Sequence, residues 1–342
     1  MWRQALSGVA GRRQLLRQGH NLNPSALHVY RTDVPDSPGD PQEAIRQSLL
    51  ITGGSGFIGQ ALIKRLADQP LRLASRADAA AWHKALVGIT TVVHLAARVH
   101  VMHDASADPL AAFRAVNVDG TLTLARQAAA AGVKRFVFVS SVKVTGEYTL
   151  PGKAFTEADA ADPQDAYGVS KHEAELGLRQ IAGESGMEVV IIRPPLVYGP
   201  GVKANFAALM RAVQGGWPLP LGAVHNRRSL VALDNLVDFI VTCLSHPQAA
   251  NQTFLVSDGN DLSTPELVRG LTRAAGVSAR LLPVPVWALR AGASLLGKGE
   301  AIQRVCGNLQ VDISKARSLL GWVPPVSVDE GLRRAVAGMQ KP

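Results

Sequence analysis

The feature that most constrains the fold is an apolar segment that runs into a glycine-rich loop. Residues 49–59 read Leu-Leu-Ile-Thr-Gly-Gly-Ser-Gly-Phe-Ile-Gly. In this spacing Gly53 permits a tight turn, Gly56 lets a diphosphate approach the backbone, and Gly59 lets the next helix pack on the strand. Free N–H groups at the start of that helix bind the diphosphate. The segment predicts a dinucleotide site with contacts from Gly53, Gly56, Phe57, Ile58 and Gly59.

Strand-length and helix-length segments alternate around this loop. Apolar runs of strand length lie at residues 49–52, 71–75, 91–95, 136–140 and 189–193. Helical segments lie at 60–69, 110–131 and 166–184. This alternation predicts an α/β fold, a doubly wound parallel Rossmann sheet with helices on both faces. Prolines and glycines interrupt the later pattern, so we expect residues 48–198 to bind NAD(P) and 199–342 to form mainly a substrate-binding lobe, with some segments returning to the sheet.

Residues 1–47 differ from the rest of the chain. The part before Asp33 holds five arginines and no acidic residue. A stretch rich in proline and aspartate follows at 33–41. No apolar core of a secretory signal is present, and the arginine-rich composition resembles a mitochondrial presequence only weakly. We interpret residues 1–47 as a disordered or mis-started extension.

Composition narrows the function classes. The net charge is +9, but the basic residues are scattered and do not form an aromatic-interleaved run, so nucleic-acid binding is not expected. The chain has two distant cysteines, Cys243 and Cys306, which excludes a disulfide framework and favours a cytoplasmic location. No apolar run reaches the length of a membrane span. His94, His100 and His103 follow no common zinc spacing, so no metal site is expected.

The end of the second strand bears on the choice of dinucleotide. NAD sites place an acidic residue there for the ribose 2′-hydroxyl. This chain has Ser75 and Arg76 instead, and an arginine can bind a 2′-phosphate through charge-assisted hydrogen bonds. The sequence therefore favours NADP(H), with NAD(H) as the alternative.

Tyr167 and Lys171 form a candidate catalytic pair. Their spacing of four residues places both on one face of a helix. A nearby ammonium lowers a tyrosine pKa, so we expect Tyr167 to exchange a proton with a carbinol near neutral pH. Ser141 follows a buried strand, where open α/β sheets place ligands, and can orient the reacting oxygen.

Taken together, these residues resemble the extended short-chain dehydrogenase/reductase family, in its nucleotide-sugar epimerase and 4-ketoreductase branch. The resemblance covers residues 49 to about 332. Its motifs lie at residues 52–59, 94–97, 117–121, 140–141, 167–171, 193–201, 312–316 and 320–324.

The resemblance implies roles for individual residues. Ser141, Tyr167 and Lys171 form the catalytic triad, and Tyr167 and Lys171 also contact the cofactor. Further implied cofactor contacts are Ala96, Ala97, Asn117, Pro194 and Pro195. Implied substrate contacts are Ser141, Lys143, Asn205 and one of Arg227 or Arg228, with Asn205 and that arginine on the nucleotide diphosphate.

Local departures narrow the implied reaction. Val142 and Lys143 replace the Asp-Glu pair of sugar 4,6-dehydratases, and Leu196 replaces an asparagine common in galactose-type epimerases. The resemblance therefore favours a reductase of UDP-4-keto-6-deoxy-N-acetylhexosamine at C4 over a UDP-sugar 4-epimerase. A non-catalytic NAD(P)-binding regulatory protein is a third possibility, which the tyrosine–lysine pair opposes. A nucleotide sugar is the expected partner, and a homodimer is possible.

One segment departs from the family pattern. Between Arg76 and the strand at Thr91 the family fits a further strand, whereas residues 77–90 read as one helix. We expect that strand to be missing, with a helix over 77–87 as the crossover. The adenine pocket would then lose one wall.

The cofactor preference can be tested at Arg76. If its guanidinium binds a 2′-phosphate, wild-type protein should bind NADPH more tightly than NADH, and Arg76→Ala should remove most of that difference. Calorimetric titration with both nucleotides measures it. A preference for NADH that Arg76→Ala leaves unchanged would refute the assignment.

Overall fold

A parallel sheet forms the centre of the protein. The computed structural model describes residues 48–74, 82–99, 108–295, 297 and 299–339. Within these ranges the strands are β1 (Leu49–Thr52), β2 (Leu71–Ala74), β3 (Thr91–His94), β4 (Arg135–Val139), β5 (Glu188–Arg193), β6 (Leu196–Tyr198), β7 (Leu230–Ala232) and β8 (Thr253–Leu255). Six of them form one sheet in the order β2-β1-β3-β4-β5-β8, with every neighbouring pair parallel. Strands β6 and β7 pair separately.

Helices cover both faces of this sheet. They are α1 (Phe57–Arg65), α2 (Trp82–Ala85), α3 (Pro109–Arg114), α4 (Thr121–Ala130), α5 (Ala166–Ser185), α6 (Ala204–Gln214), α7 (Leu233–Ser245), α8 (Thr264–Ala275), α9 (Val286–Leu295), α10 (Gly299–Cys306), α11 (Ser314–Leu320) and α12 (Val328–Met339). Alternate residues of β1 face opposite ways: Ile51 packs in one core with Leu62 of α1, and Leu50 in another with Leu178 of α5. The predicted doubly wound α/β fold is confirmed.

A third apolar core lies among the later elements. It contains Tyr198, Phe206, Met210, Leu271 and Leu332, which come from β6, α6, α8 and α12. Strand β8 meanwhile pairs with β5 and so returns to the central sheet. The division of the chain near residue 198 stays a prediction.

The predicted helix at 110–131 is not continuous. It begins as α3, widens into a π-helical turn over Ala115–Gly120, and resumes as α4. Apolar periodicity could not reveal this, because one inserted residue leaves most of the pattern in place. Such turns are frequent at functional sites.

Strand β2 is an edge strand in the part of the chain that the structure describes. The described residues between β2 and β3 contain α2 and no strand, and β3 pairs directly with β1. Arg72 donates to the carbonyls of Ala85 and Val87 at 2.7 and 2.8 Å and so holds the end of this crossover to β2. Trp82 is buried beneath it. The described residues 82–90 contain no strand, whereas residues 75–81 lie outside the described residues, so the missing strand and the helix over 77–87 stay predictions.

Helix α5 is fastened to the sheet by a buried carboxylate. Glu175 is fully buried and accepts hydrogen bonds from Ser140 Oγ at 2.6 Å and from Arg193 Nε and Nη2 at 3.0 and 2.6 Å. Arg193 also donates to Thr145 Oγ1 at 3.1 Å. One carboxylate thus joins α5 to the ends of β4 and β5.

Neutralising this carboxylate should destabilise the fold. Glu175→Gln leaves the buried Arg193 cation without its anion, and breaking a buried pair costs about 3–5 kcal/mol. Glu173→Gln, on the same helix, breaks a solvent-exposed pair with Arg114 and should cost much less, because water screens the two charges. Urea unfolding of the two variants compares them, and similar losses would contradict the anchoring role of Glu175.

Candidate active site

The glycine loop forms a bare cradle at the start of α1. Gly53 has φ of +73°, and a Cβ there would lie 2.6 Å from the backbone nitrogen of Ala96. Gly56 caps α1 without any side-chain hydrogen bond, and the first turn of α1 carries no acidic residue. A side chain at Gly59 would clash with the carbonyl of Gly53. The exposed N–H groups and the close backbone approach suit a diphosphate, so this part of the chain fits a dinucleotide.

His94 is a neutral structural residue beside the cradle. Its Nδ1 lies 2.6 Å from Thr52 Oγ1 and its Nε2 lies 2.9 Å from Thr121 Oγ1. Burial, and next the charge of Lys171, lower the pKa of His94 to about 3. The imidazole therefore stays uncharged and ties β1, β3 and α4 together. The backbone nitrogen of Ala96 lies against Gly53 and Ala97 is partly exposed, and the cofactor contacts of both alanines stay predictions.

Asn117 lies on the π-helical turn and joins two parts of the site. Its amide donates to the carbonyl of Arg98 and to Ser170 Oγ, both at 3.0 Å, and its Oδ1 accepts from the Arg98 N–H at 2.8 Å. Ser170 Oγ in turn donates to the carbonyl of Tyr167 at 2.8 Å. Asn117 therefore fixes the segment after β3 against the first turn of α5.

The structure brings together Ser141 and Tyr167, as the sequence predicted. Ser141 begins a 3-10 turn at the end of β4 and accepts from the Lys143 N–H at 3.2 Å. Its hydroxyl lies close enough to Tyr167, in the first turn of α5, to lower the pKa of that phenol. The two hydroxyls lie at the carboxyl edge of the sheet, where one ligand oxygen can meet both.

The pKa of Tyr167 moves opposite to our expectation. Burial, and next the charge of Asp165, raise it, whereas the Ser141 hydrogen bond lowers it by less. Asp165 caps α5 through Gly168 N–H at 2.7 Å, so its carboxylate is held near the phenol. Spacing alone identified the lysine but not this carboxylate. Tyr167 is consequently a protonated phenol at neutral pH.

Lys171 points into the protein rather than toward the phenol. Its Nζ donates to the Val139 carbonyl at 2.8 Å and lies 4.3 Å from the centre of the Phe138 ring. Burial lowers the pKa of Lys171 to about 7, although the Glu175 carboxylate acts in the other direction. The lysine can thus change its charge near neutral pH.

Three further predicted contacts lie close to Ser141. Lys143 is near it in the sequence, and Pro194 and Pro195 directly follow the neighbouring strand β5. The Val142 N–H donates to the Pro194 carbonyl at 3.0 Å, and Pro194 and Pro195 are both buried. Lys143 Nζ bonds the carboxylates of Glu147 at 2.7 Å and Asp165 at 2.5 Å. Lys143 is therefore already paired with two carboxylates, and its substrate contact stays a prediction.

The structure separates the two candidate diphosphate arginines. Arg227 is exposed, donates to the Asp261 carbonyl at 3.2 Å and pairs with Glu266 at 3.5 Å. Arg228 donates to the Gly307 carbonyl at 3.0 Å, and burial lowers its pKa while the charge of Glu147 raises it.

Glu147 bonds Lys143, next to Ser141, so Arg228 lies on the side of the catalytic residues. Asn205 is exposed near the start of α6, and Ala204 before it has a φ of +56°. The roles of Asn205 and Arg228 stay predictions. Ser75 and Arg76 lie outside the described residues.

Sequence reasoning missed several residues that hold the site. Glu175 follows Tyr167 and Lys171 at intervals of four and so occupies the same face of α5. An acidic residue on that otherwise buried face was the available signal. Ser170 and Thr121, by contrast, gave none, because small hydroxyl residues occur throughout helices.

Comparison with known proteins identifies the family. The model of the NAD dependent epimerase/dehydratase family matches residues 49–257. The chain belongs to this family. That membership confirms the resemblance to the nucleotide-sugar branch of the extended short-chain dehydrogenases and places the chain among enzymes.

Two curated relatives match over most of their length. A UDP-glucose 4-epimerase from Vibrio cholerae is 49% identical over 308 residues, which are 84% of this chain and 94% of that protein. The "N-acetyl-alpha-D-glucosaminyl-diphospho-ditrans,octacis-undecaprenol 4-epimerase" of Escherichia coli O157:H7 is 29% identical over 322 residues, 85% of this chain and 95% of that protein.

Solved structures share the fold. The UDP-glucose 4-epimerase of Thermotoga maritima with UDP-glucose matches with a TM-score of 0.69 and 24% identity, over 86% of this chain and 99% of that chain. RMD from Pseudomonas aeruginosa complexed with NADPH matches with a TM-score of 0.70 and 24% identity, over 86% and 100%. Another matching structure is the UDP-glucuronic acid 4-epimerase from Bacillus cereus in complex with NAD. The matching structures therefore include one complex with NADPH and one with NAD.

No group of three or more His, Cys, Asp or Glu side chains in the described ranges could hold a metal ion. Across the same residues, every helix is too short or too polar to cross a bilayer.

The lowered pKa of Lys171 predicts a pH dependence of stability. An unfolded lysine titrates near pH 10.4, so between pH about 7 and 10.4 the unfolded chain binds more protons than the folded chain. The free energy of unfolding should therefore rise with pH across this window, by up to about 1.4 kcal/mol per pH unit from this group.

Lys171→Met removes that titration, so the difference between wild type and variant should grow in favour of wild type from pH 7 to pH 10. Lys134→Met, at an exposed position, serves as control. Urea unfolding at several pH values measures both. A difference for Lys171→Met that stays constant with pH would contradict the titration.

Proposed function

We propose that the chain is a nucleotide-sugar 4-epimerase, which inverts the hydroxyl at C4 of a UDP-linked sugar through a 4-keto sugar. The observation that carries the proposal is the placement of the Ser141 hydroxyl close to Tyr167 at the sheet edge, beside the bare glycine cradle. The sequence alone favoured a 4-ketoreductase. The 49% identity to a protein named UDP-glucose 4-epimerase moves our preference to epimerisation.

Tyr167 moves the proton at O4 in this proposal. On oxidation the O4–H bond breaks and the phenolate takes the proton, while the C4–H bond breaks and its hydride would go to the bound nicotinamide, which leaves a C4 carbonyl. On reduction the hydride would return to the opposite face of C4, and the phenol returns the proton to the oxygen. Ser141 donates to the same oxygen and fixes its position relative to Tyr167. The raised pKa of Tyr167 means that the empty enzyme holds the proton, which is the form required to reduce a ketone.

Oxidation requires the phenolate, and the nearby cation that could favour it is Lys171. A turn of its side chain away from the Val139 carbonyl would bring its charge closer to the phenol. We infer that ligand binding at the cradle provides the new partner for Lys171. The lysine then holds the cofactor ribose while its charge lowers the pKa of Tyr167.

The residues around the cradle would hold the dinucleotide. The α1 N-terminus with Gly53, Gly56 and Gly59 suits its diphosphate, and Asn117, Ala96 and Pro194 surround the rest of the path toward Tyr167. When bound, its nicotinamide supplies the acceptor and donor of the hydride. Arg76 makes NADP(H) our preferred cofactor, with NAD(H) as the alternative.

The substrate diphosphate is assigned to Arg228 and Asn205. Arg228 is half-buried and close enough to Glu147 for that carboxylate to raise its pKa, whereas Arg227 is already engaged by Glu266. Two relatives are named for C4 epimerisation of sugars carried on a diphosphate, one with uridine and one with undecaprenol as the carrier. We propose the uridine carrier here, on the higher identity.

A UDP-4-keto-sugar 4-reductase is the second candidate, and the edge position of β2 favours it. An epimerase has to keep its dinucleotide through a full cycle, whereas a reductase has to release it. With no strand beyond β2 in the described residues, the adenine side of the cradle lacks one wall, which suits release. The regulatory alternative has no support among the named relatives reported above.

One experiment decides between the two candidates. The purified protein is incubated with UDP-galactose and UDP-N-acetylgalactosamine without added nucleotide, and the products are resolved by chromatography. Conversion to the C4 epimers supports the epimerase. Conversion of a UDP-4-keto-6-deoxy sugar only when NADPH is added supports the reductase, and no reaction in either assay refutes the C4 assignment.

Replacement of the phenol tests the proton-transfer role. Tyr167→Phe should lower turnover on the order of 10²–10⁴-fold and leave nucleotide affinity nearly unchanged. Tyr148→Phe, at an exposed tyrosine, is the matched control and should retain wild-type turnover. A Tyr167→Phe enzyme with wild-type turnover would remove Tyr167 from the mechanism.

A further inference from the structure

Helix α9 presents its apolar face to solvent. None of its residues is buried, and Trp287 and Leu295 are 74% and 88% exposed. The exposed positions Trp287, Arg290, Ala291, Ser294 and Leu295 follow the spacing by which a helix normally buries one face. These five residues are called the α9 face below. A ten-residue helix gains most of its stability from packing against other surfaces. We therefore expect the α9 face to bind a partner surface.

Further exposed apolar residues lie on the segment beside α9. Leu282 is 48% exposed and Trp217 is 68% exposed. The two segments that carry them pair through backbone hydrogen bonds. The Leu282 N–H donates to the Leu219 carbonyl and the Leu219 N–H donates to the Arg280 carbonyl, both at 2.8 Å. The apolar surface therefore continues from α9 onto the segment before it.

Basic side chains predominate in the segments that carry these apolar residues, although Arg227 pairs with Glu266 and Arg273 with Asp329. Residues 267–299 contain five basic residues and no acidic residue, and residues 201–233 contain four basic residues and again no acidic residue. Arg211, Arg280 and Arg290 are exposed and form no ion pair with another described residue. An apolar patch with two tryptophans and a basic surround is the pattern of a helix that lies in the headgroup region of an anionic membrane.

We propose that the α9 face, with Trp217 and Leu282, docks this enzyme on an anionic lipid surface. A second copy of the chain fits less well, because a twofold interface would bring the same unpaired arginines together. Nucleic acid also fits less well, because Leu282 and Leu295 offer nothing to phosphates. The proposal concerns peripheral binding and does not depend on the proposed function.

The docking face connects to the catalytic side of the molecule. Helix α10 follows α9 in the chain, and its end is bound by Asn226, which donates to the carbonyls of Val305 and Gly307 at 3.0 Å each. Arg228 donates to the same Gly307 carbonyl. A surface held by α9 would therefore lie near the diphosphate side of the site.

Vesicle sedimentation of the full chain tests the proposal. Wild-type protein should pellet with vesicles of equal parts phosphatidylglycerol and phosphatidylcholine, remain in solution with pure phosphatidylcholine, and dissociate as salt is raised. Trp287→Gln and Leu295→Gln should each weaken vesicle binding roughly tenfold, since each removes a large apolar side chain from the interface. Arg290→Glu should weaken it at least roughly tenfold.

Matched variants elsewhere serve as controls. Val323→Gln changes a valine that is 65% exposed outside the face, and Arg126→Glu reverses an exposed arginine of α4; both should keep wild-type binding. All variants should keep the turnover of soluble substrate, which excludes misfolding. Absence of vesicle binding, equal loss in the controls, or sedimentation of free protein as a dimer that Trp287→Gln dissociates would each overturn the proposal.

Discussion

The catalytic arrangement depends on one buried carboxylate. Glu175 receives hydrogen bonds from the end of β4, through Ser140, and from the end of β5, through Arg193. Its helix carries Tyr167 and Lys171 two turns and one turn earlier on the same face. These hydrogen bonds fix the position and the rotation of α5 relative to the sheet. They therefore also fix the position of the Tyr167 phenol relative to Ser141. Burying this carboxylate costs desolvation free energy, which its hydrogen-bonding partners have to offset.

Much of the fold followed from short-range patterns. The glycine loop, the strands and the spacing of Tyr167 and Lys171 each reflect local geometry, and the structure reproduces them within a residue or two at the ends. The features that could not be predicted depend on long-range contacts. The protonated state of Tyr167 results from burial and from Asp165, and our preference for Arg228 over Arg227 rests on their contacts with Glu147 and Glu266. The π-helical turn is fixed by the bonds of Asn117 to two other segments.

The edge position of β2 bears most on the biochemistry. With α2 as the crossover, Arg72 and Trp82 close the sheet without a further strand in the described residues. The glycine cradle is unaffected, because its contacts come from β1, α1 and the segment after β3. We propose that the adenine side offers the dinucleotide less surface than this cradle does. On that proposal, the residues that react at C4 are separate from those that would retain the dinucleotide.

The central claim is that C4 of a nucleotide-linked sugar reacts between Ser141 and Tyr167. A crystal structure of the wild-type enzyme with dinucleotide and UDP-galactose tests it most directly. The account predicts that the O4 oxygen lies about 2.6–3.2 Å from both Ser141 Oγ and Tyr167 Oη, with the substrate diphosphate on Arg228. A sugar bound with another carbon at this pair, or a diphosphate held by Arg227 instead, would contradict it.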